Sequence, residues 1–158
     1  MRREHFDLDV RNLDWLTAGG DPEQPVAHIQ FSGPKDELIE RLTATDGSPL
    51  DAGEIDVAFR LRDPFEESTA AAGVVGVANR FTGDFVFETN ESAEDVFEFI
   101  HAAREYGQQA NRPDGRYRIE LSIVGDETVT YEKGTFLVYD DTGDLLREQS
   151  LIPSGVEL

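Results

Sequence analysis

The stretch from Gly83 to Gly107 constrains this chain more than any other, because it specifies a strand and a capped helix back to back. Val96, Phe99, Ile100, Ala103 and Tyr106 recur at three- and four-residue spacing and fall on one helical stripe, with Glu94, Glu98, His101 and Glu105 opposite. Such a helix has a core to cover. Ser92 stands at the N-cap position with Asp95 three residues on, and Glu91, Glu94 and Asp95 suit the positive end of the helix dipole. Arg104 and Gly107 suit the other end, so the sequence predicts a helix over residues 93–106, fed by a strand over 84–89.

The remaining chain reads as strands for this helix to pack on. Phe6, Leu8 and Val10 alternate with Asp7, Asp9 and Arg11, and Ala27, Ile29 and Phe31 alternate with His28 and Gln30. The cleanest alternation is Ile55, Val57, Phe59 and Leu61. Residues 74–79 and 85–88 form an expected hairpin across Phe81-Thr82-Gly83. Tyr117, Ile119, Leu121 and Ile123 open an expected meander through 128–132, 135–139 and 145–151. Pro34 suits the first turn of a short helix near 36–43, and residues 12–25, with the single Trp15, read as a long loop. The prediction is one α+β domain over 1–158: an antiparallel, meander-rich sheet or pair of sheets of seven to nine strands, with one long amphipathic helix and one short helix. Strand, helix and strand recur over 27–61 and 85–123, a pattern that an internal duplication would also give.

Cysteine is absent, which removes disulfides, thiolate metal sites and cysteine nucleophiles. There are 33 acidic and 14 basic residues, for a net charge of −19, and only Lys35 and Lys133 are lysine. An excess of carboxylates on a compact fold repels itself unless screened, and at about 1 M salt the Debye length falls to roughly 3 Å. The composition therefore predicts adaptation to a molar-salt cytoplasm, and it disfavours nucleic acid as a partner. Arg2-Arg3 is followed by Glu4, Asp7 and Asp9 rather than by an apolar segment, and no window is apolar enough to span a membrane. A cytoplasmic location without membrane contact is expected.

Few residues suggest chemistry. No glycine-rich phosphate loop, Gly-x-Ser-x-Gly elbow or His-Glu-x-x-His motif occurs, so neither a catalytic residue nor a cofactor is implied. His28 faces the same way as Asp7 and Asp9, the sort of grouping a divalent metal needs, or a surface histidine among acids. The 140–144 stretch, Asp-Asp-Thr-Gly-Asp, lacks EF-hand spacing and suits a hairpin turn. Arg104, Arg112, Arg116 and Arg118 gather in a short span and either converge on an anion or pair with nearby acids. Leu151, Ile152, Val156 and Leu158 make an apolar C-terminal segment that docks either on its own domain or on a partner.

MRREHFDLDVRNLDW at the start, TGDFVFETNESAEDVFEFIHAAREYG in the centre, and TYEKGTFLVYD with LLREQSLIPSGVEL at the close resemble members of a family of uncharacterised acidic haloarchaeal proteins. The resemblance implies a salt-loving origin and cytoplasmic residence, and it transfers no functional residue. The expected function is a non-enzymatic interaction or accessory protein, using a sheet face or the apolar C-terminus, with a second copy or another protein as partner. A small-ligand or anion-binding domain using the arginine cluster, with or without enzymatic activity, is the alternative.

Overall fold

The computed structural model describes residues 5–63, 71–110, 115–123 and 128–152. Among them are eight strands: β1 (Phe6–Arg11), β2 (Val26–Phe31), β3 (Ile55–Leu61), β4 (Ala72–Asn79), β5 (Phe85–Ser92), β6 (Tyr117–Ile123), β7 (Thr128–Lys133) and β8 (Leu137–Tyr139). Three helices join them: α1 (Trp15–Ala18), α2 (Lys35–Arg41) and α3 (Ala93–Ala110). The strands form two four-stranded sheets, ordered β1-β2-β6-β7 and β5-β4-β3-β8. The α+β class and the single long helix are as expected.

The neighbours are less antiparallel than the sequence predicts. β2 runs parallel to β6, and β3 parallel to β8, while the other pairs are antiparallel. The expected meander from β6 onward stops at β7, and β8 leaves for the second sheet. Alternation fixes which face of a strand is buried but not which strand lies beside it, and Val138 of β8 is fully buried next to Phe59 of β3. The expected strand over 145–151 is instead a 3-10 turn (Arg147–Gln149) between two isolated pairings, Tyr139 with Leu145 and Phe136 with Leu151. Ser150 explains the break: its Oγ accepts from the Val138 N–H at 2.9 Å and donates to the Leu146 carbonyl at 2.8 Å, replacing ladder bonds with side-chain bonds. The loop over 12–25 contains α1, where Trp15 donates through Nε1 to the Asn12 carbonyl at 2.6 Å.

The two strand–helix–strand units cross in opposite directions. Through α2 the chain passes from the first sheet to the second, and through α3 it returns. Both sheets and both longer helices contribute to one buried cluster, in which Phe31, Phe59, Ile100 and Tyr117 are almost or wholly inaccessible. α3 reaches both sheets: Phe97 meets Phe59 edge to face, and Phe99 meets Tyr117 at 5.4 Å. Ser92 caps it as expected, with its Oγ accepting from the Asp95 N–H at 3.2 Å. Gly107, expected as the stop, lies buried inside the helix, which continues to Ala110. A methyl at Gly107 would sit 2.7 Å from Cγ of Arg116, so the glycine admits the arginine stem rather than ending the helix.

Candidate interaction face

The outer faces of the two sheets differ in chemistry. On the first sheet Asp9, His28, Glu120 and Thr130 lie in one cross-strand row, with Asp7, Gln30, Ser122 and Thr128 in another, so both rows are polar. On the second, the floor is small and apolar. Gly76 of β4 pairs with Ala58 of β3 on one side and Glu88 of β5 on the other, and Ala78 and Val74 flank Gly76 along the strand. Phe85 and Tyr139 rise at opposite edges, and the hollow between them measures about 660 Å³.

A bulge makes Phe85 available. Val77 pairs with Phe87 but Ala78 with Phe85, so Val86 is the extra residue and turns inward beside Phe87 while Phe85 points out. Its ring then lies over Gly76, where a methyl would press to within 3.1 Å of the ring edge. Even so, Phe85 is 54% exposed, and Phe81 at the hairpin tip is 73% exposed. The tip is held firmly. Asn79 Oδ1 accepts from the Phe81 N–H at 2.9 Å, Gly83 takes φ = 76°, and the Arg80 N–H donates to the Glu54 carbonyl at 2.9 Å.

Charge on this face is unevenly satisfied. Arg80 donates through Nε and Nη2 to Asp56 Oδ1, at 2.9 and 2.7 Å, and Arg62 donates to Asn90. Arg60, exposed near the C-terminal end of β3 beside Val74 and Tyr139, makes no hydrogen bond or ion pair among the described residues.

The sequence profile of one family spans residues 1–158 of the chain. The chain belongs to DUF5793, a family of unknown function. No curated protein matches it, and no solved structure does. The family thus assigns the DUF5793 chain no activity, ligand or partner.

Of the arginines singled out in sequence, Arg112 lies outside the described residues. Arg104 donates through Nη2 to the carbonyls of Ser150 at 3.0 Å and Glu148 at 3.5 Å, and Arg116 donates through Nη1 to that of Ile152 at 3.4 Å. The two guanidiniums therefore hold the C-terminal segment by its backbone. Burial, and the charge of Arg104 close by, push the Arg116 guanidinium below its usual range, and its buried Nε has no partner among the described residues. Arg118 is separate: it makes a double contact with Glu132 Oε1, its register partner on β7, at 3.2 and 2.9 Å. Leu151 is fully buried and Ile152 half-buried, while Val156 and Leu158 lie outside the described residues.

His28 stands between Asp9 on β1 and Glu120 on β6, with Nδ1 3.9 Å from Glu120 Oε1. No group of three or more His, Asp or Glu among the described residues is placed to hold a metal ion. Asp140 Oδ1 accepts from the N–H groups of Thr142 and Asp144, the bonding of a turn, and the Thr142 and Asp144 contacts hold its carboxyl below the usual range. No described helix is long and apolar enough to cross a membrane.

Sequence reasoning missed two features. One is the Gly76 face, whose signal was a pair of glycines, Gly73 and Gly76, inside a strand of otherwise β-branched and small residues. The other is an apolar cavity of about 60 Å³ between the sheets, lined by Leu8, Ile29, Val57, Phe87 and Phe99, with Glu91 and Asp95 at its polar end. Burial, then the neighbouring Asp95, push the Glu91 carboxyl above its usual range.

Proposed function

We propose that the DUF5793 chain is a non-enzymatic interaction module, adapted to a molar-salt cytoplasm, that engages its partner through the outer face of the second sheet. Phe85 carries this reading. A half-exposed phenylalanine over a Gly-Ala floor, with Phe81 more exposed still on a firm turn, is an apolar patch on a chain of net charge −19. Aromatic residues presented at low conformational cost are what an interface core uses.

A photo-crosslinker at Ala58, in the native host, is expected to give a covalent protein adduct, whereas one at Gln30 on the polar face gives none. Equal or absent adducts at both positions would remove the proposal. Salt adaptation has its own check: the far-UV spectrum is expected to lose structure between molar and millimolar KCl, as screening is withdrawn.

A second reading, anion binding by Arg104 and Arg116 of the four arginines singled out in sequence, draws support from the closeness of these two and from the Arg116 Nε, which has no partner among the described residues. Inorganic phosphate that left the melting temperature unchanged at fixed ionic strength would dismiss it.

A further inference from the structure

We infer that the occupant of this face is a second copy of the same chain, packed face to face. The inference rests on the interaction reading above and names its partner.

Charge order along β3 supports self-recognition. The outward residues are Asp56, Ala58 and Arg60, evenly spaced along the strand, so the triplet is antisymmetric in charge about Ala58. A two-fold axis lying in the interface and crossing β3 at Ala58 runs the two β3 strands antiparallel. Each Arg60 then stands opposite the partner's Asp56, and both ion pairs form at once. Each member has capacity for this contact. Arg60 is unengaged among the described residues, and both bonds from Arg80 end on Asp56 Oδ1, which leaves Oδ2 to accept the second guanidinium.

Shape agrees with charge. The same axis lays the Gly76–Ala58 row of one copy over that of the other, and each Phe85 ring, seated over its own Gly76, fills the hollow between the two sheets. Phe85, one row away, is carried over the partner's Val74 and the partner's Asn90. The two Glu88 carboxylates meet only at the rim, where sheets packed at about 30° diverge. Three strands of seven or eight residues and the three-residue β8, about 4.8 Å apart, present roughly 420 Å² per copy. Two such faces give about 840 Å², below the roughly 1,200 Å² at which stable interfaces begin, so the dimer is expected to be weak and of micromolar strength.

Charge reversal and mixing test this pairing by analytical ultracentrifugation in about 2 M KCl, where long-range repulsion is screened. Wild type at roughly 50 µM is expected to be dimeric. Arg60→Glu sets like charges opposite each other in both contacts of its own dimer, and Asp56→Lys does the same, so each alone is expected to be monomeric. In a one-to-one mixture the new carboxylate meets the new ammonium while the native pair forms at the other contact, so dimers return, with at least a tenfold gain over either variant alone. A wild type that stays monomeric, or a mixture no better than its components, overturns the inference. Asp56→Lys also removes the partner of Arg80, so a second measurement stands apart from its folding. The chain has no cysteine of its own, and with Ala58→Cys near the axis a short bismaleimide is expected to link two copies, while with Gln30→Cys it does not.

The two proposals can fail separately. An Ala58 photo-adduct with the mass of a different protein, alongside monomers here, ends the self-partner inference and leaves the interaction reading. Monomers and no selective adduct end both.

Discussion

The Phe6 ring of β1 stacks on the Phe87 ring of β5 with centroids 5.1 Å apart and planes 26° from parallel. Among the described residues each strand is an edge of its sheet, so the two rings join the sheets at edges that pair with no further described strand. Phe6 also rests on Phe31, at 4.8 Å. A double-mutant cycle of Phe6→Leu and Phe87→Leu, read by denaturant unfolding, is expected to give a coupling of about 0.5–1.5 kcal/mol. Additivity within error would mean that the rings do not hold the edges together.

Removing the Arg104 guanidinium should loosen the C-terminal segment alone. In Arg104→Ala the Ser150 and Glu148 carbonyls lose a charged donor, a loss of about 1.5–3 kcal/mol. Amide exchange is expected to quicken at Leu151 and Phe136, which bond each other's carbonyls at 2.8 and 2.9 Å, while β3 and β4 stay protected. Arg104→Lys rescues only in part, because one ammonium replaces a fork. Unchanged exchange at both residues would contradict the clamp.

Lys133 is buried at 7% exposure, and its Nζ donates to the Ala52 carbonyl at 2.6 Å and the Ile55 carbonyl at 2.8 Å. Lys133→Met keeps the volume and removes the donor, leaving these carbonyls without it. It is expected to lower stability by about 1–3 kcal/mol even though the side chain becomes more apolar. A more stable variant would show that charge burial outweighs the two bonds.

Glu91 should respond to pH in a defined sense. Its folded carboxyl lies above the ordinary value of 4.5, chiefly through burial and then through Asp95, so ionisation opposes folding at neutral pH. That penalty is complete above the raised folded value, is relieved as pH falls through it, and is gone below the unfolded value. Glu91→Gln, which keeps an acceptor for the Thr89 hydroxyl, is therefore expected to melt higher than wild type at pH 7, with the advantage fading toward pH 4. A constant difference across that range would assign the effect to something other than ionisation.

Much of this was legible in the residues, and what was not has physical causes. The cap at Ser92, the buried stripe of α3 and the inward residues of β3 follow from period and capping chemistry, which are local. Strand neighbours are not local, so the parallel pairs β2 with β6 and β3 with β8 left no mark on the alternation. β4 hid the candidate face for a related reason: Val74, Gly76 and Ala78 point out while Gly73, Val75 and Val77 point in, and both sets are apolar or small, so no polar residue marks the open side. The four arginines read as one cluster because they are near in sequence. In space Arg118 belongs to a β6–β7 pair, and Arg104 and Arg116 belong to the C-terminal segment.

The parallel pairings bear on how the chain becomes folded. Ala27 cannot find Ile119, nor Phe59 find Val138, until those distant residues have been synthesised, so the first sheet is incomplete on a nascent chain that stops short of β7 and the second on one that stops short of β8. Closure of such distant segments precedes most of the energy it releases, which makes for high contact order and refolding on the millisecond-to-second scale. Fluorescence of the single Trp15 offers a probe of that rate, and sub-millisecond recovery of the native signal would contradict a late closure. While it waits, the hairpin of β4 and β5 already carries Phe81 and Phe85, and the nascent protein depends on a carboxylate-rich surface to keep those two rings from finding another chain too early.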